Sequence, residues 1–197
     1  MQNVARLYVG IQEVTGCEVI VDSSKWPAYG RMLAEIPALD LYVTHLIRDA
    51  RAVAYSWQRR QLLQPGTENP LPRTPYGVLA STYQWFVGNW ATEKFWKKRP
   101  ERYLRLNYEA FVARPQSAVA AILALLQKSD KVLPFTGKRQ VALKPSHAVW
   151  GNPSRFQAGN ITLQLDDEWQ YNMRRADKAL VTMLTLPLLY RYGYFSS

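Results

Sequence analysis

Apolar positions at Val4, Leu7, Tyr8, Ile11 and Val14 recur every three or four residues, which predicts an amphipathic helix over residues 3–14 with Gly16 as its stop. The pattern then changes. CEVIVD, residues 17–22, is a short β-branched run suited to a buried parallel strand, and Ser23, Ser24 and Pro27 break it. A helical stretch around 28–36 leads to LYVTHLI, residues 41–47, a second buried-strand candidate. Arg48 and Asp49 end it, and Asp49 is placed to cap a helix opening with ARAVAYSWQRRQLL. QPGTENPLPRTP, residues 64–75, reads as a loop or lid. A long aromatic-rich helix is expected from Tyr76 to Lys98, and a third strand in RYLRLNY, residues 102–108. Pro115 suits the first turn of a helix reaching Gln127. Residues 128–165 look irregular, and a last helix is expected from Asp166-Asp167 to Tyr190, with the acids at its positive end.

Strand and helix alternate, so the expected fold is α/β: a three-layer arrangement with a parallel sheet flanked by helices. At 197 residues the chain is expected to form one domain, residues 1–197. With 48% of residues hydrophobic and spread along the length, a sizeable core is expected. No apolar run approaches the roughly 20 residues that cross a bilayer, and the N-terminus does not read as a signal peptide. Cys17 is the sole cysteine, which excludes an internal disulfide and fits a cytoplasmic location.

Charge narrows the partners. Lys and Arg exceed Asp and Glu by 25 − 15 = 10, which favours phosphorylated or polyanionic ligands unless the excess is merely a solvated basic surface. The basic residues are scattered without a zinc-finger, basic-zipper or RNA-recognition pattern, so no nucleic-acid partner is expected.

In an open parallel sheet, ligands bind beyond the carboxyl ends of the strands. Three polar clusters fall there: DSSK at 22–25, RD at 48–49 and NYE at 107–109. Arg48 closes an apolar strand and Ser56 lies two helical turns on, so a guanidinium and a hydroxyl are placed to grip one phosphate from two sides. The alternative is an ion pair at Arg48 and a small packed hydroxyl at Ser56. His45 reads as a satisfied core histidine, and His147 is the better candidate to line a site. Two histidines without an adjacent carboxylate pair or cysteine give no reason to expect a metal. Trp85, Phe86, Trp90, Phe95 and Trp96 follow helical spacing, which core packing explains.

VIVDSSKWPAYGRML followed by LDLYVTHLIRDARAVAYSWQR resembles the nucleotide-binding core of sulfotransferases that use 3′-phosphoadenosine 5′-phosphosulfate. YLRLNYEAFVARP is similar to the strand-and-acid segment that follows in that family, and HAVWGNPSRF, LDDEW and LPLLYRYGY are similar to the C-terminal part of its bacterial branch. The resemblance runs from about residue 17 to residue 194. It implies a P-loop-like nucleotide-binding fold and transfer of a sulfuryl group to a hydroxyl or amine of a small-molecule, carbohydrate or lipid acceptor. It also implies that Arg48, Ser56 and Arg155 hold the 3′-phosphate, that Tyr108 lies near the adenine, that Asp22 is the base and that Lys25 neutralises developing charge. Asp22 equally suits capping of its own turn.

The resemblance departs from the family before DSSK. Sulfotransferases carry there a strand and a loop rich in Gly, Ser, Thr and Arg or Lys for the 5′-phosphosulfate, whereas this chain has only Gly10 and Gly16 upstream. The expectation is a partial domain lacking that strand and loop. It is then a fragment, a chain completed by another, or a non-catalytic nucleotide- or anion-binding scaffold of the same fold. A phosphoryl-transferring relative would need a GxxxxGK[ST] loop, which the sequence lacks.

Overall fold

The computed structural model describes residues 2–24, 26–59, 62–63, 71–72, 75–144 and 157–195, with 62–63 and 71–72 described by backbone alone. Helix α1 (Gln2–Thr15) realises the first apolar pattern, although none of its residues is buried. α2 (Pro27–Leu33) starts on a proline whose fixed φ suits a first helical turn. Then come β1 (Val43–Ile47), α3 (Ala50–Gln58), a two-residue antiparallel pair of β2 (Leu62–Leu63) and β3 (Leu71–Pro72), and α4 (Val78–Trp96). β4 (Tyr103–Asn107) passes directly into α5 (Tyr108–Ala113) and α6 (Pro115–Leu125), with Pro115 at the start of α6. β5 (Gln140–Leu143), β6 (Gly159–Thr162), α7 (Trp169–Asn172) and α8 (Arg175–Arg191) complete the order.

The fold is mixed α/β around a small parallel sheet. β1 and β4 pair in parallel from Val43 opposite Tyr103 to Ile47 opposite Asn107. Of the three parallel strands expected, these two form. Residues 17–22 join no ladder, and Val21 is 88% exposed. A β-branched run gains its stability from neighbours on a pleated surface, and among the described residues this one has no strand beside it. One face of β1 buries His45 and Ile47, whereas Leu46 on the other face is 48% exposed.

Two further expectations need correction. Within the stretch expected to be irregular, β5 and β6 pair antiparallel with Val141 opposite Ile161, a β-branched cross-strand pair that stabilises a ladder. The last helix does not run unbroken from Asp166. Met173 adopts extended backbone after α7 and is buried in the core, and α8 starts afresh at Arg175.

The core joins β1, α3, α4 and α8 through Ile47, Ala50, Ala54, Trp85, Val181, Leu188, Leu189 and Tyr192. Small residues on α3 let its backbone lie close to its neighbours; Ala50, Ala52 and Ala54 are each 1% exposed. At Gly30 a Cβ would stand 3.0 Å from the Trp96 ring, so glycine permits the approach of α2 to α4. The expected aromatic series on α4 divides. Trp85 and Trp96 are buried, while Trp90 and Phe95 are 46% and 39% exposed. His45 is a buried, satisfied residue: Nδ1 is 2.8 Å from the Tyr103 hydroxyl and Nε2 is 2.8 Å from Asn89 Oδ1. Among the described residues no helix is long and apolar enough to cross a membrane.

Candidate anion site

The carboxyl edge of β1 and β4 is set by a short relay of hydrogen bonds. Asp49 caps α3, with its Oδ1 accepting from Arg51 N at 2.8 Å. The same carboxylate takes the Arg51 guanidinium at 2.9 Å on Oδ1 and 2.6 Å on Oδ2. Arg51 in turn lies over the rings of Trp169 and Phe195, at 4.7 and 5.4 Å from their centroids. Glu109, in the first turn of α5, accepts Asp49 N at 3.2 Å and the Tyr194 hydroxyl at 2.7 Å. Burial, and then the hydrogen bond to Glu109, push the Tyr194 phenol well above its ordinary range. The two strand ends and the C-terminal segment are thereby fixed to one another.

Arg48 leaves β1 at this edge. Its guanidinium carbon lies 4.8 Å from the centroid of the Tyr108 ring, a cation–π contact. Nη2 donates to the backbone oxygen of Asp166 at 2.7 Å and forms an ion pair with Asp166 Oδ2 at 3.0 Å. The Arg48 carbonyl accepts Trp85 Nε1 at 2.8 Å, which ties the strand end to α4. Arg59, just past the end of α3, reaches the same atom, with Nη2 at 3.2 Å from Asp166 Oδ2 and Nη1 at 2.6 Å from Glu168. Two guanidinium groups thus converge on one carboxylate oxygen. Among the described residues the Nε of each is buried without a hydrogen-bond partner. A buried donor without an acceptor is destabilising by about 1–3 kcal/mol, and more for a charged group, so the pair is under-satisfied by Asp166 and Glu168 alone. Ser56 is half-buried on α3.

Arg48 and Tyr108 meet at this edge, where α3 begins, and Ser56 lies about two turns along that helix. Asp22 belongs to a different group. Its carboxylate accepts Ser24 N at 2.8 Å, the Ser24 hydroxyl and the Tyr8 hydroxyl. Burial raises its pKa, but the hydrogen bonds from Ser24 and Tyr8 outweigh that and hold it below the usual carboxylate range. This is the Asx-turn arrangement its position suits. Lys25, His147, Arg155 and nearly all of residues 64–75 lie outside the described residues.

Arg59 and Asp166 were not singled out as site residues from the sequence. Arg59 carried a faint signal, one helical turn beyond Ser56. Asp166 carried none, because its partner Arg48 is 118 positions away. No family model and no solved structure matches the chain.

Proposed function

We propose that the chain is a nucleotide-binding protein of the sulfotransferase type, with the P-loop-like fold of that family. In this reading Arg48, Ser56 and Arg59 hold the 3′-phosphate of 3′-phosphoadenosine 5′-phosphosulfate, and Tyr108 lies beside the adenine. The observation that carries the reading is the convergence of two under-satisfied guanidinium groups on one carboxylate oxygen at the carboxyl edge of two parallel strands. A phosphate offers more acceptor oxygens than a carboxylate and matches the forked donors of arginine.

In the transfer itself an acceptor oxygen attacks sulfur, the bond from sulfur to the bridging phosphate oxygen breaks, and 3′-phosphoadenosine 5′-phosphate leaves. The acceptor's proton passes to a base, for which Asp22 is the candidate, and Lys25 neutralises charge on the departing phosphate. Arg155 would complete the hold on the 3′-phosphate. The hydrogen bonds that lower the Asp22 pKa make it a weak base until Tyr8 and Ser24 are rearranged. That constraint favours a second reading, a non-catalytic nucleotide- or anion-binding protein of the same fold.

Calorimetric titration with 3′-phosphoadenosine 5′-phosphate tests the first step, with adenosine 5′-phosphate and Arg48→Ala alongside. Binding that needs both the 3′-phosphate and Arg48 is expected. Equal binding of the two nucleotides, or no binding by folded protein, overturns the nucleotide site. Turnover with the sulfated cofactor then separates enzyme from scaffold.

A further inference from the structure

Helix α4 is apolar on more sides than its packing uses. Trp85, Trp96, Ser81 and Thr82 face the interior. On the outward side Leu79, Tyr83, Val87 and Trp90, spaced by four, four and three residues, are 61%, 69%, 37% and 46% exposed. That spacing places them in one stripe about 17 Å long. The stripe continues toward the helix C-terminus as Lys94 and Lys97, with Lys98 beside them, all exposed. The one acid of α4, Glu93, is turned inward, where it is buried and paired with Arg191 at 2.9 Å and Arg105 at 3.4 Å. A cavity of about 460 Å³ opens at this end, lined by Trp90, Glu93, Lys94, Lys97, Lys98 and Arg191. The Lys94 ammonium stands 4.8 Å from the centre of the Trp90 ring, at the junction of the apolar and cationic halves.

We infer that this face of α4 docks on an anionic lipid bilayer. The apolar half would enter the boundary of headgroups and chains, Trp90 and Tyr83 would sit at the interface as such rings do, and the lysine end would receive lipid phosphates. Charge decides between occupants. A second copy paired in parallel would bring its lysines against these lysines. Paired antiparallel, it would set unpaired ammonium groups against Leu79 and Tyr83. A bilayer supplies apolar depth and negative headgroups together. The lysine end is separate from the nucleotide reading, because α4 ends just before the turn into β4 and its lysines therefore lie toward the amino ends of the strands, away from Arg48.

The test is co-sedimentation with phosphatidylcholine vesicles, with and without phosphatidylserine. Binding is expected only with phosphatidylserine and should weaken as salt rises. A cation near such a surface is worth about fivefold in partitioning, so Lys94→Gln/Lys97→Gln/Lys98→Gln should weaken binding about 100-fold. Leu79→Ser/Tyr83→Ser should weaken it about tenfold or more. All five side chains are exposed, so circular dichroism should show the variants folded. No binding to phosphatidylserine vesicles, or binding that neither variant reduces, overturns the inference. So does a dimer in sedimentation equilibrium that Leu79→Ser/Tyr83→Ser dissociates, or abolition of vesicle binding by inorganic phosphate with the apolar variant indistinguishable from wild type.

Discussion

If Asp166 occupies the place of a ligand's phosphate, removing its charge should strengthen ligand binding while weakening the fold. Asp166→Asn keeps the shape of the side chain and leaves the backbone carbonyl that Arg48 also uses. It deletes the charge from two ion pairs, to Arg48 at 3.0 Å and Arg59 at 3.2 Å, whose side chains are between 20% and 32% exposed. Pairs that open to solvent contribute up to about 1 kcal/mol each, so the variant should lose about 1–2 kcal/mol of stability in urea unfolding. A ligand phosphate must displace the same interactions in the native protein. By that balance the variant should bind 3′-phosphoadenosine 5′-phosphate about 5- to 30-fold more tightly. Glu168→Gln is the control: among the described residues its carboxylate pairs with Arg59 and not with Arg48, and its side chain is 56% exposed, so its effect should be smaller. A stability loss in Asp166→Asn with unchanged or weaker nucleotide binding would refute the substitution of carboxylate by phosphate. Arg48 and Asp166 would then be a structural pair only.

Three further outcomes follow from the same contacts. Asp49→Ala should cost about 2–3 kcal/mol in chemical denaturation, because it removes both the cap of α3 and the partner of Arg51. Asp49→Ser keeps the cap and should recover about 1 kcal/mol of that; equal losses for the two variants would show that the cap contributes nothing. Burial lowers the His45 pKa below its ordinary 6.5, so the unfolded chain takes up a proton first as pH falls. Stability should therefore decline as pH drops below about 6.5 and level off beneath the folded pKa, and thermal melts of His45→Gln should lose that part of the slope. Leu189 is fully buried in the core, and Leu189→Ala should cost about 2–5 kcal/mol in urea unfolding; a cost under 1 kcal/mol would contradict its packing.

What the sequence revealed was mostly local. The register of apolar residues in 3–14, the capping Asp49, the strand at 43–47 and Pro115 at a helix start each follow from neighbours within a few positions. The failures were failures of pairing. Residues 17–22 have strand composition, but composition cannot supply an adjacent strand, and Val21 points into solvent. Residues 140–143 and 159–162 lacked a strand-like run of their own. They become strands because Val141 meets Ile161 across the ladder. The final helix breaks where Met173 is drawn into the core, a tertiary demand that helical periodicity does not encode.

The site divides along the same line. Arg48 and Tyr108 were singled out as strand-end residues, and their contact across the edge follows from the parallel register that sets Ile47 beside Asn107. The carboxylate between the arginines was not legible. It comes from 118 residues downstream, and the acids there read as the start of a helix. Of the two readings of Arg48 drawn from the sequence, the ion pair is the one observed, with Asp166 as its partner. That pair leaves the Nε of both arginines without an acceptor among the described residues. The donor capacity left over at Arg48 and Arg59 is what the Asp166→Asn titration probes: tighter nucleotide binding favours the phosphate reading of Arg48, and unchanged binding favours the ion pair alone.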